Sequence, residues 1–302
     1  MMKHFRLILI LSLLFGSALC AQTHENTGLY GYKFLNISTN PLSLALGGRG
    51  IHAGGNLAAF INQPASAAIE SHRSAGISHT AWLDDIKYNN VFYSQSDRLT
   101  HFGLALRNLD YGEIENRDVT GNLIGYYSPL DISLMASYAY RMGPATYFGL
   151  NGGVMYQKLN TASSYGVHAD LGMTLLPPVR DSRLSFSFRN LGTSSKMEDV
   201  ETRMPITFET DLSKAYTFES GKLILEASAV KPIDADWKGI FSSELEIYEM
   251  IALRGAYKLN HSAENFSTGI GIKLLGLQID YAWAPFTKGL NDVHAFGVSY
   301  NF

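Results

Sequence analysis

A chain of 302 residues with a formal net charge of -3 has room for one large domain or two small ones, and it lacks the basic balance that a nucleic-acid partner calls for. Charged residues make up 17%, below the roughly 25% of soluble domains. The 28 glycines, 17 tyrosines and 16 phenylalanines point instead to a dense all-β protein or a membrane barrel. Residues 1–20 read as a signal peptide. Lys3, His4 and Arg6 form a positive start, and Leu7 to Phe15 is apolar except for Ser12. Ala18 and Cys20 give the small-x-small spacing of a cleavage site before Ala21. The apolar run is too short to span hydrocarbon. Lipid attachment at Cys20 is disfavoured by the bulky Leu19 before it. Cleavage after Cys20 removes the only cysteine and, with it, disulfides, zinc–thiolate sites and thiol nucleophiles.

Residues 21–74 form an N-terminal extension. Within 28–70 small residues dominate and no strand alternation holds. Small side chains allow close packing in a narrow lumen, so this stretch is expected to plug the barrel. Gly47, Gly48, Asn62, Pro64 and Ala65 mark its motifs, and Ala65 to Glu70 could form one helical turn after Pro64.

Residues 75–302 alternate. In 182–190, Leu184, Phe186 and Phe188 oppose Arg183, Ser185, Ser187 and Arg189. In 236–248, Trp237, Phe241, Leu245 and Ile247 oppose Lys238, Glu244 and Glu246. In 250–259, Ile251, Leu253 and Tyr257 oppose Arg254 and Lys258. A period of two sends successive side chains to opposite faces of a strand. The runs are longer than the ~5–6 residues of soluble strands and match the ~9–11 that cross a bilayer at a tilt. Large apolar side chains recur along the whole chain, more than a small sandwich could enclose. A barrel points them at lipid and keeps the charges in its lumen. The expected fold is an all-β, transmembrane antiparallel β-barrel of about fourteen strands with a small N-terminal plug. The strands are expected over 75–83, 86–95, 99–109, 130–142, 146–158, 163–176, 183–191, 205–216, 221–231, 236–248, 250–260, 266–274, 276–284 and 293–302. Glu113–Thr120 is left outside the barrel. Tight links near residues 97, 144, 249 and 275 alternate with long polar ones over 110–129, 192–204 and 285–292, as when the tight side faces the periplasm.

The terminal strand, Val293 to Phe302, carries an assembly signature. Phe302, Tyr300 two residues before it and Gly297 resemble the recognition strand of bacterial outer-membrane barrels. An exposed aromatic strand at a soluble terminus would invite aggregation.

The run Tyr32-x-Phe34-Leu35, then Ala45-Leu46-Gly47-Gly48, then Asn62-x-Pro64-Ala65 is similar to the opening of the PorV/PorQ proteins, FadL-like barrels of the type IX secretion system in Bacteroidota. The PorQ branch looks nearest over residues 30–70, and Gln63 interrupts the family's contiguous Asn-Pro-Ala. The resemblance implies an outer-membrane protein without enzymatic activity or cofactor. Its partners would be outer-membrane lipid and a PorZ-like surface protein of the complex that attaches cargo. The alternatives are a FadL-like transporter of hydrophobic solutes and a PorV-like cargo shuttle. Charged inward positions such as Arg183, Arg189, Lys238, Glu244, Glu246 and Arg254 tilt the reading to the anchor. Of the long loops, 110–129 offers Tyr111, Ile114, Tyr126 and Tyr127 as a partner surface, aromatics being frequent interface hot spots.

No phosphate loop or Gly-x-Ser-x-Gly elbow is present. The nine histidines are scattered, with none at metal-ligand spacing. The acidic pairs, Asp234/Asp236 among them, read as solvated turns. The expectation is therefore no catalytic residue, no metal and no cofactor.

Overall fold

The computed structural model describes Glu25, residues 28–52 and residues 57–302. The signal peptide read over residues 1–20 lies outside the described residues. Sixteen strands follow in chain order: β1 (His72–Ala81), β2 (Lys87–Ser96), β3 (Thr100–Asp110), β4 (Ile114–Arg117), β5 (Leu123–Tyr127), β6 (Leu130–Gly143), β7 (Thr146–Leu159), β8 (Ala162–Leu175), β9 (Ser182–Ser194), β10 (Thr207–Phe218), β11 (Gly221–Pro232), β12 (Lys238–Ile247), β13 (Ile251–Leu259), β14 (Phe266–Leu274), β15 (Leu277–Ala284) and β16 (Val293–Asn301). Fourteen of them close into one antiparallel barrel, with β3 beside β6 and β1 beside β16. These are the fourteen strands expected from alternation. Strands β4 and β5 pair only with each other, as a ribbon outside the wall.

Alternation decides the two faces. On β9, Arg183, Ser185, Ser187 and Arg189 are buried inward, and Phe188 is exposed outward. On β13, Ala252 and Arg254 are inward while Ile251, Leu253 and Tyr257 are outward. The outward residues form an apolar surface that water would not tolerate and lipid would. Several inward charges are matched across strands. Arg254 Nε donates to Glu244 at 2.6 Å and Nη1 to Asp280 at 2.6 Å, and Lys273 pairs with Glu246.

Strand β9 runs past its expected end. Gly192 and Thr193 still pair with β8, after a register shift at Ala169/Leu171. Most tight links lie at one end of the barrel and the long ones at the other; the exceptions are the short 160–161 turn at the long-loop end and the six-residue 176–181 link at the tight-turn end. Among the described residues no helix is long and apolar enough to cross a membrane.

Candidate functional site: the interior segment and the mouth cavity

Residues 30–52 and 57–70 lie inside the barrel and reach from one end to the other. At the long-loop end Gly31 N–H donates to Arg203 at 3.1 Å, Lys33 pairs with Asp234, and the Tyr32 hydroxyl donates to Ser164 at 2.7 Å. At the tight-turn end Ser66 bonds Thr174 at 3.0 Å and Glu70 accepts from Arg183 at 2.5 Å. Asp234, expected as a solvated turn, is instead held in that ion pair.

Local sequence shapes the segment. Helix α1 (Pro41–Ala45) opens with Pro41 at its first position, and Asn40 caps it by accepting from Ser43 N–H at 2.8 Å. A 3-10 turn, Pro64–Ala68, follows Gln63, whose side-chain oxygen caps it. The Gln63 amide also donates to Phe186 O at 2.9 Å. The residue that interrupts Asn-Pro-Ala thus fastens the turn to β9. Asn62 donates to Gly48 O at 3.3 Å and joins two parts of the segment.

The wall receives the segment through small residues. A β-carbon on Gly149 or Gly172 would run into the Gln63–Ala65 turn, one on Gly269 into Ala45, and one on Gly103 into Phe60. Gly297, expected in the assembly signature, faces inward beneath Pro41, 2.8 Å from where its β-carbon would be. It therefore makes room for the interior segment, whereas Tyr300 and Phe302 point outward. Phe60 is fully buried among Phe92, Ala105 and Met135, forming a dry layer across this half of the lumen. Burial of one such ring is worth about 1.5–3 kcal/mol.

The opposite half is polar. Arg49, flanked by Gly47, Gly48 and Gly50 at positive φ, projects into β10. Its Nε donates to Asp211 at 2.7 Å, its Nη2 to the same carboxylate at 2.5 Å, and its Nη1 pairs with Glu209. Gly50 N–H donates to Glu226 at 2.9 Å, and the His52 ring bonds Ser213 at 2.8 Å. Arg189 bridges Glu209 at 3.2 Å and Leu35 O at 3.1 Å. Sequence reasoning missed Arg49. Its signal was present: it is the only Asp, Glu, Lys or Arg between Lys33 and Glu70.

Above this seam lies a cavity of about 680 Å³, open at the long-loop end. Its floor is Gly47–Arg49. Lys33, Lys238 and Lys258 line one part, and Trp82 and Phe286 another. Burial, then the fields of Lys238 and Lys258, pushes the His261 imidazole down to about 4, so it is neutral near pH 7. Among the described residues no group of three or more His, Cys, Asp or Glu could hold a metal ion.

The four residues expected as a partner surface separate. The Tyr111 hydroxyl donates to Asp131 at 2.8 Å, and its ring packs on the Tyr32–Phe34–Tyr88 cluster. Burial, and then Asp131, pushes its phenol above the usual tyrosine range. Tyr111 thus fastens the ribbon down rather than facing outward. Ile114 and Tyr126 are exposed, and Tyr127 is half-buried opposite Ile114.

No protein-family model matches the chain, and none of the curated proteins matches it. Solved structures do. CymD, a monoaromatic hydrocarbon channel, aligns with a TM-score of 0.61 at 10% identity, over 88% of this chain and 97% of that one. The Pseudomonas putida toluene transporter TodX aligns at 0.60 and 13%, over 91% and 99%. A Pseudomonas aeruginosa FadL homologue aligns at 0.56 and 12%, over 88% and 98%. At these identities the likeness defines the fold class, a closed fourteen-strand barrel of the FadL type.

Proposed function

We propose that this chain is a conduit of the outer membrane for small solutes, with the interior segment as its gate and no enzymatic chemistry. The observation that carries the reading is the cavity at the mouth, whose floor is the Arg49 turn. A solute entering from the long-loop end meets a floor fixed by ion pairs on one side and by the dry layer around Phe60 on the other. The charged wall does not oppose this reading, because its ion pairs neutralise one another. The fold likeness to structures described as hydrocarbon and toluene channels supports it by analogy.

The test is conductance and solute uptake with the purified barrel in lipid bilayers. Arg49→Met leaves Asp211 without its cation and Glu209 with Arg189 alone. Breaking a buried pair in this way costs about 3–5 kcal/mol, and about 1.4 kcal/mol already shifts a population tenfold. The expected result is at least a tenfold rise in open probability and uptake. Unchanged conductance together with no uptake by either protein would overturn the conduit.

A second reading has its own support. The resemblance of residues 30–70 to PorV/PorQ proteins, together with the exposed ribbon, fits a type IX anchor for a PorZ-like surface partner, or a cargo shuttle. Replacing Ile114 and Tyr126 with Ser should then release that partner from a native pull-down while barrel levels hold. Retained partner in that variant counts against the ribbon as its contact.

A further inference from the structure

Most cations around the mouth cavity are matched one by one, but Lys238 and the exposed Lys288 have no ion pair among the described residues. Lys33 pairs with Asp234, Lys258 with Glu264, Arg49 with Glu209 and Asp211, and Arg189 with Glu209. The ammonium of Lys238, half-buried on the inward face at the start of β12, has no ion pair and no hydrogen bond among the described residues. Its nearby carboxylates, Asp234 and Glu264, are already taken by Lys33 and Lys258. A partly desolvated ammonium without a counter-ion is unfavourable, and a ligand anion would relieve it.

The same cavity is lined by an aromatic pair. Trp82 and Phe286 meet edge to face, with ring centroids 5.8 Å apart and an interplanar angle of 76°. An edge-to-face pair leaves ring surface available to a third aromatic group. The volume of about 680 Å³ falls within the roughly 300–1,000 Å³ of small-molecule sites.

We infer that the mouth cavity is a binding site for a compact aromatic carboxylate, with the carboxylate on Lys238 and the ring against Trp82 and Phe286. The site rests on the conduit reading for its purpose but not for its measurement, since equilibrium binding to a closed barrel needs no flux. A neutral hydrocarbon would leave Lys238 without a counter-ion, and a long-chain acid would leave the ring surface poorly covered.

The experiment is a titration of the purified full barrel in detergent, by calorimetry and tryptophan fluorescence. The probe is 2-naphthoate, with neutral 2-methylnaphthalene and linear decanoate as comparators. Saturable naphthoate binding is expected, at least about tenfold tighter than either comparator, as one charge-assisted contact would supply. Lys238→Met should weaken it about tenfold, Lys238→Arg should retain most of it, and salt should weaken the wild type. The comparators and the salt series need only the wild type, so they decide the matter even if a variant misfolds. No saturable binding, equal binding of the neutral analogue, or an unchanged affinity in folded Lys238→Met would each overturn the site. Lost naphthoate binding with solute uptake intact overturns this inference alone. Intact binding without any uptake overturns the conduit alone.

Discussion

A β-carbon at Gly149 would lie 2.5 Å from Ala65 N and 2.6 Å from the carbonyl carbon of Pro64. Both neighbours are backbone, so the turn would have to move rather than a side chain swing away. Gly152, three residues on, has nothing within 4 Å of the same position. Gly149→Val should therefore lift the Pro64–Ala68 turn at a cost of about 1–3 kcal/mol, while Gly152→Val leaves it in place. Faster amide exchange over residues 63–68 in the first variant, and not in the second, is the expected result. Equal exchange in both would mean that the turn does not lean on the wall. This role was not legible in the sequence. A glycine inside a strand reads as a weak strand residue or a bulge, and the partner that requires it lies far along the chain. Arg49 stands differently. A lone charge among three glycines in an apolar stretch is a local signal, and its reach to β10 follows once the segment is known to run through the lumen.

At the scale of elements, the wall strands were legible because every one of them has to present one face to lipid and the other to a polar interior. That requirement writes the period of two into each strand separately. The ribbon of β4 and β5 answers to no such requirement. Its register shifts between Asn116 and Arg117, so Ile124 lies opposite no partner and the alternation breaks. Its tip is held by Asp118, which accepts from Thr120 Oγ1 at 2.7 Å and from the backbone of Thr120 and Asn122 at 2.9 Å each. The Thr120 hydroxyl first, and then the Asn122 N–H, hold its carboxyl at about 2, below the ordinary 3.8. A depressed carboxyl contributes its stabilisation above the unfolded value and loses it as pH falls through the folded one. Amide protection at Thr120 and Asn122 should thus persist at pH 5 and disappear between about pH 4 and pH 2. Asp118→Ala should remove it at every pH. Protection that stays constant across this range would show that the carboxylate does not order the tip.

At the scale of the whole molecule, one seam makes the barrel a barrel. Strand β16 pairs with β1 from Asn301 opposite Ser74 to His294 opposite Ala81, and Phe302 N–H donates to Arg73 O at 2.7 Å. On the outer face of that seam the Tyr300 and Phe302 rings meet edge to face at 5.2 Å. Replacing both with Ser removes the aromatic face while leaving every backbone pairing possible. The double variant should lose most of its heat-modifiable, membrane-inserted form. Undiminished inserted protein would show that the closing strand is recognised by its backbone alone. The seam also bears on the segment inside it. Tyr30 sits at the mouth and Glu70 at the far end, so the finished wall is a ring with part of its own chain drawn through the bore. Such a ring cannot be loaded afterwards without reeling that part in, and it cannot be unloaded without reopening between β1 and β16. Closure and enclosure are therefore one event, and a bulky folded domain attached ahead of Tyr30 would have to be on the mouth side before the last pairing zips shut.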